Sequence, residues 1–296
     1  MAHGPDGVLL VDKPAGITST RALGMAKRAL DSRKAGHTGT LDPFATGLLP
    51  LVFGEATKFS RFLIDSDKCY LATLVLGATT ATGDTESEVV SHSPVSVTFD
   101  EIAACLRDFT GFSQQTPPMH SAVRVAGRRL YDMARAGLTV DRPPRSIRID
   151  DLEIMDFSGE KLVISVKCSK GTYIRTLAED IGRRLGCGAY LDGLRRTASG
   201  RFRVMDAATP EQLVAMGPEA ARARLLPVDV LLESLPRLAL TERQAWAFRN
   251  GQELEVDLTW PTGEVAVCGP GPLLIGVGRV SDGRLSAARL LATREE

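Results

Sequence analysis

The stretch GHTGTLDPFATGLLP at residues 36 to 50 surrounds one aspartate with three glycines, three threonines and a histidine, and apolar residues crowd in behind it. Pro43 pushes Asp42 towards extended backbone, while Gly36, Gly39 and Gly47 would let a large ligand approach the main chain closely. The familiar site chemistries fit the segment poorly. A phosphate-cradling loop would place Lys and then Ser or Thr after its second glycine, but Thr40 and Leu41 follow Gly39. A metal site needs several ligands at usable spacing, and His37 with Asp42 has no such company nearby, so no metal is expected. A standard glycosidase needs two carboxylates across the scissile bond, and this segment offers one. Two readings stay open from the residues alone: an Asx-type turn in which Asp42 bonds its own backbone, or a single carboxylate presented to a large substrate.

Strand and helix signals interleave along the rest of the chain. GVLLVD reads as a strand ending at Lys13-Pro14, and Thr18 or Ser19 can cap a helix through RALGMAKRAL. KCYLATLVLG is apolar enough on both faces to be a well-buried strand. TFDEIAACLRDF opens on Thr98 with Glu101 three residues on, a capping box. IRIDDLEIMDF and KLVISVKC predict a hairpin joined through SGE. GTYIRTLAEDIGRRLG puts Ile174, Leu177, Ala178, Ile181 and Leu185 on one helical face, stopped by Gly186. The fold class expected is mixed α/β (α+β) around a largely antiparallel sheet. After the Pro236 break, a short helix capped by Thr241 and closed by Asn250-Gly251 leads into short strands rich in Gly and Pro. This predicts a large domain over 1–235 and a small, mostly β domain over 236–296.

The chain has 296 residues, nearly half of them apolar, enough for one large core and a small one. Its five cysteines are scattered with no C-x-x-C pair, which argues against a disulfide framework or zinc ribbon and for a reducing cytosol. No segment approaches the apolar length of a membrane span, and no signal-peptide pattern opens the chain, so a cytoplasmic protein with no membrane partner is expected. The net charge is zero, yet residues 120 to 148 and residues 170 to 203 each carry a local excess of +5. Nearly all these cations are arginines, whose planar fork suits phosphate and stacks on bases. A solvated face is the plainer reading of one such stretch alone; two inside a neutral chain point to a nucleic-acid partner.

GHTGTLDPFATGLLP closely resembles the signature of the TruB family of pseudouridine synthases, which act on uridine in the TΨC arm of transfer RNA. DKPAGITS at 12 to 19 is similar to the family's N-terminal motif, KCYLATLVLGATTATGD to its tyrosine strand, and SKGTYIRTLAEDIGRRLGCGAYLDGLRRTASGRF to its arginine motif and the strand after it. QQTPPMHSAVRVAGRRLYDMARAG resembles the insertion with which the family closes over RNA, at about 114–146, with Arg124 where many members have lysine. The C-terminal segment looks like a degenerate PUA-type RNA-binding module.

The resemblance implies isomerisation of uridine to pseudouridine at position 55 of the TΨC loop, without cofactor and with the target base flipped out of its stack. It makes Asp42 the catalytic carboxylate, Arg175 of the YIR motif the opposite charge that orients it, and Tyr70 the ring that packs on the base. By the same resemblance His37 fills the space left by the flipped base, Asp84 lies near the flipped nucleotide, and Tyr173 and Leu194 wall the site. Lys13 would brace a loop or touch RNA, and Arg124, Arg128 and Arg129 would grip the T-arm stem-loop. A monomer that needs no obligatory protein partner, and that can also assist transfer-RNA folding, completes the expectation. A related ribosomal-RNA or guide-dependent synthase, or a non-catalytic RNA chaperone, is the alternative.

Overall fold

The computed structural model describes residues 4–119, 124–125, 128–129, 133, 138, 140–271 and 273–292. In chain order its first elements are β1 (Gly7–Lys13), α1 (Ser19–Ala29), β2 (Ala35–His37), β3 (Thr46–Phe53), α2 (Ser60–Ile64), β4 (Lys68–Leu76), β5 (Ala78–Thr80) and β6 (Val89–His92). Then come α3 (Phe99–Phe109), β7 (Gly111–Gln115), β8 (Arg124–Val125), β9 (Arg128–Arg129), β10 (Arg145–Ser158), β11 (Lys161–Cys168), α4 (Ile174–Leu185), β12 (Ala189–Ser199) and β13 (Phe202–Arg203). The main sheet runs β1-β3-β12-β4-β11-β10-β7, with β2 added to β3 and β13 to β12. Every ladder in it is antiparallel except β12 against β3, which are parallel at Arg195↔Thr46 and Arg196↔Gly47. That parallel seam lies directly behind the glycine-rich loop.

Local signals place the elements where the pattern predicts them. Thr98 and Glu101 close a reciprocal capping box on α3, and Gly186, left-handed at φ 81°, ends α4. At α1 Thr18 is the N-cap, which leaves Ser19 free for another task. Strand β4 departs from expectation. Ala72, Leu74 and Leu76 are buried beneath α4, but Leu71 on the opposite face is 38% exposed, so β4 is covered on one side only. Each of its fully buried leucines contributes about 1.5–3 kcal/mol of transfer free energy. Tyr70 continues the covered face to the end of the strand, where the core opens.

The insertion expected at about 114–146 is rooted in the main sheet. Gln114 and Gln115 pair with Ser146 and Arg145 as the ends of β7 and β10, so the insertion leaves the sheet after residue 115 and returns at 145. Beyond residue 235 come β14 (Arg237–Ala239), the helix Glu242–Arg249, β15 (Leu254–Glu255), β16 (Gly263–Cys268), β17 (Leu274–Ser281) and β18 (Arg284–Leu290). These strands form one five-stranded sheet, a small mostly β domain. Its Ala266 and Val277 pack with Val8, Leu10, Phe59, Phe202, Leu231 and Leu232 in one apolar cluster shared with the large domain.

Candidate active site

The glycine-rich loop leaves β2 at His37 and enters β3 at Thr46, carrying Asp42 at the edge of a cavity of about 520 Å³. Three polar side chains fix the backbone around that carboxylate. Ser19 grips Leu41 twice, its Oγ donating to the carbonyl at 2.9 Å and accepting from the amide at 2.8 Å. Lys13, 0% exposed, donates from Nζ to the carbonyls of Pro14 at 2.9 Å, Ile17 at 2.7 Å and Pro43 at 3.2 Å. Arg196, 2% exposed, donates to the carbonyls of Leu48 and Gly39. The residues on both sides of Asp42 are therefore held by side chains from outside the loop. Burial pushes the Lys13 ammonium down to about 8, although Asp42 and Glu86 favour its charge. Of the two roles open to Lys13, its geometry is that of a loop brace, since all three acceptors are protein carbonyls.

Arg175, in the first turn of α4, reaches Asp42 with Nε at 3.3 Å from Oδ2. Its Nη1 lies 2.9 Å from Oδ2 of Asp84, whose side chain is wholly buried. Asp84 is fixed in turn by the hydroxyl of Thr82 and by the Glu86 amide, which donates to its Oδ1 at 3.0 Å. One buried guanidinium is thus shared by an exposed-edge carboxylate and an interior one, a planar fork suited to two acceptors.

The cavity wall gathers Tyr70, Tyr173, Arg175, Leu194 and Arg196 around the loop residues 38 to 42. Leu194 and Arg196 alternate onto the same face of β12. Burial pushes the Tyr70 phenol up, and the neighbouring Arg196 cation and hydrogen bond only partly oppose it. A protonated ring is a stacking surface at neutral pH. His37 sits one residue before the lining residues, in β2 opposite Leu51, and its Nδ1 is buried with no hydrogen-bond partner among the described residues. Burial, aided by the Arg196 cation, pushes its imidazole down, so it is neutral at physiological pH.

Gln115 was not singled out in the sequence. Its amide clamps Tyr173, accepting from the backbone N–H at 2.8 Å and donating to the carbonyl at 3.0 Å. Ser19 and Arg196 were also missed as loop supports. Arg196 lay in an arginine-rich run and Ser19 beside a cap residue, and neither carries a motif that announces its partner. The side chains of Arg124, Arg128 and Arg129 lie outside the described residues; their backbones form the short ladder β8–β9.

The cations of residues 170 to 203 are largely paired or buried within the protein. Lys170 pairs with Asp65, Arg183 with Asp180, Arg184 with Asp108, Arg195 with Asp12 and Arg201 with Glu233. Arg175 and Arg196 are buried, and Arg203 donates to the Gly200 carbonyl. Four of these five ion-pair acids lie outside the stretch or come from another element, so a count within a window of sequence overstated the free charge.

Comparison with known proteins identifies the family. The model of the TruB family pseudouridylate synthase N-terminal domain matches residues 27–174. Those of the tRNA pseudouridylate synthase B C-terminal domain and of the pseudouridine synthase II TruB C-terminal region match 175–233 and 236–291. The tRNA pseudouridine synthase B of Azoarcus sp. (strain BH72) is 51% identical over 98% of this chain and 96% of its own length. That of Thiobacillus denitrificans is 49% identical over 97% and 96%. Among solved structures, a Cbf5-Nop10-Gar1 complex aligns with a TM-score of 0.72 at 28% identity, over 92% of this chain and 78% of the matched one. An H/ACA RNP bound to a substrate RNA containing 2'-deoxyuridine shares the fold at a TM-score of 0.74 and 24% identity, over 98% and 86%. With family models running from residue 27 to 291 and relatives half identical over nearly its whole length, the chain belongs to the TruB family of pseudouridylate synthases.

Proposed function

We propose that the chain isomerises uridine to pseudouridine in the TΨC loop of transfer RNA, at position 55, with Asp42 as the catalytic carboxylate. The observation that carries the reading is the placement of Asp42 at the cavity edge, 3.3 Å from the buried Arg175, with Tyr70 and Leu194 on the same wall. The names of the half-identical relatives supply the transfer RNA. The C1′–N1 bond breaks, the uracil turns over, and C5 joins C1′; the proton lost from C5 is balanced by one gained at N1, so no atoms enter or leave. Asp42 either attacks C1′, adds to C6 or removes the C2′ proton, and each route needs the ionised carboxylate that the Arg175 cation favours. The carboxylate cannot reach a stacked base, so the nucleotide flips into the cavity against Tyr70 and Leu194, while His37 on the neighbouring strand end fills the stack.

An A-form stem presents mainly backbone and a shallow groove, whereas unstacked loop bases can be read directly. The purified chain alone should therefore modify one uridine of an isolated T-arm hairpin, and an unstructured oligonucleotide of the same loop sequence far more slowly. Single-turnover rates with pseudouridine mapping test this. Asp42→Asn should abolish product while leaving RNA affinity within a few-fold. Turnover by that variant would remove the catalytic reading, and equal rates on hairpin and linear RNA would remove the T arm as the substrate.

A further inference from the structure

Arg196 is a buried cation whose charge no acid answers: it lines the cavity at 2% exposure and forms no ion pair among the described residues. Its acceptors are neutral. Nε donates to the Leu48 carbonyl at 2.6 Å and Nη2 to the Gly39 carbonyl at 3.2 Å, so one planar group holds the chain on both sides of Asp42. The loop is fitted closely to this strand. A Cβ at Gly47, where φ is +102°, would fall 2.3 Å from the Arg196 carbonyl oxygen, and one at Gly39 would fall 3.4 Å from Nη1. Only glycine lets the loop and β12 approach in this way. The same guanidinium also lies against the Tyr70 phenol, on the adjoining strand β4 at Arg196↔Tyr70.

A guanidinium buried without a carboxylate is costly, because carbonyls replace hydration without cancelling the charge. Packing alone would be served better by an apolar side chain. What an apolar side chain cannot do is bind the Leu48 and Gly39 carbonyls from one rigid plane that also lies across the strand pair from Tyr70 in the cavity wall. We infer that Arg196 is a positioning residue for the isomerisation: it fixes the Asp42 loop and the Tyr70 ring relative to each other, so that carboxylate and stacked base meet at reacting distance. This rests on Asp42 being the catalytic carboxylate. A lysine ammonium at this position is a single point of donors and cannot span the same acceptors.

The test uses the full chain and the T-arm hairpin, comparing parent, Arg196→Lys, Arg196→Ala and Asp42→Asn by single-turnover rate, RNA dissociation constant and urea unfolding. Arg196→Lys should slow the saturated rate at least about 100-fold while the dissociation constant stays within about threefold. Guanidinium ion, added below concentrations that unfold the parent, should restore at least about tenfold of the rate lost by Arg196→Ala and do nothing for Asp42→Asn. A rate for Arg196→Lys within threefold of the parent would overturn the inference, as would an affinity falling in step with the rate. So would the absence of rescue, or loss of cooperative unfolding in both variants, which would make the residue structural only. Turnover by Asp42→Asn would instead remove the underlying assignment, so the two failures are distinguishable.

Discussion

Arg175 divides one guanidinium between carboxylates in unlike surroundings: Asp84 is sealed in the interior, and Asp42 stands at the cavity edge with a third of its side chain exposed. Asp84 therefore holds Arg175 from the interior and leaves Asp42 accessible at the cavity edge. Replacing Asp84 by Asn keeps the shape and removes its charge. Asp84→Asn should destabilise the protein by about 3 kcal/mol, the range for breaking a buried pair, and slow the single-turnover rate by about 100-fold as Arg175 is drawn wholly onto Asp42. Urea unfolding and rapid-quench assays check the two parts; an undiminished rate would show that Asp42 alone suffices to anchor Arg175. Lys13 makes a complementary case with a pH signature. Its folded value of about 8 lies below the ordinary 10.5, so between those values the unfolded chain binds a proton that the folded chain does not. Stability contributed by this group must then rise with pH across that window. Lys68, also held at about 8 by burial, acts in the same sense. Lys13→Met should flatten the rise seen in urea midpoints from pH 8 to 10.5, and an unchanged slope would mean that burial does not lower the Lys13 ammonium below its ordinary value.

At the scale of elements, α4 begins without a side-chain cap, because Tyr173 at its N-cap has none to offer. Gln115, at the end of β7, does that work from 58 residues away in sequence. Gln115→Leu would leave the Tyr173 amide unpartnered at the root of the helix that carries Arg175. About 1–2 kcal/mol of stability should go with it, and about tenfold of the single-turnover rate. A loss of stability with an unaltered rate would show that the helix start does not set the Arg175 geometry. The contrast with α3 shows what the sequence could reveal. Thr98 and Glu101 cap that helix from within four residues, and Gly186 stops α4 by its own backbone freedom, so both were legible. The Asp42 loop was legible as a site because its residues match a family signature, not because composition decided between a turn and a carboxylate. The supports were not legible. Ser19 on Leu41, Gln115 on Tyr173 and Arg196 on Gly39 are pairings of ordinary polar residues across the fold, set by strand register and not by spacing.

Across the whole molecule the same limit applies to charge, and it makes the small domain less separate than the Pro236 break suggests. Glu55, between β3 and α2 in the large domain, accepts from Lys34 at 3.3 Å, Lys58 at 2.5 Å and the Ala292 amide at 2.7 Å, while Lys58 also donates to the Leu290 carbonyl at 2.9 Å. Arg61 pairs with Glu264 beside it. These contacts border the apolar cluster that Ala266 and Val277 share with the large domain, so residues 290 to 292 are tied down at a charged rim around an apolar seat. Burial disfavours the Glu55 carboxylate, but its hydrogen bonds from Lys58, Ala292 and Lys34 outweigh that and hold it down at about 2, below the ordinary 4.5. A carboxyl depressed on folding contributes stability that is fully present above 4.5 and is lost as pH falls towards 2. Both tryptophans, Trp246 and Trp260, lie in the small domain, so their emission reports on it alone. Glu55→Gln should lower the urea midpoint followed by that emission at pH 7, by about 1–2 kcal/mol, and should weaken the acid dependence between pH 4.5 and 2. If the parent and Glu55→Gln curves instead run parallel down to pH 2, the small domain is seated by its apolar cluster and Glu55 is only a surface charge.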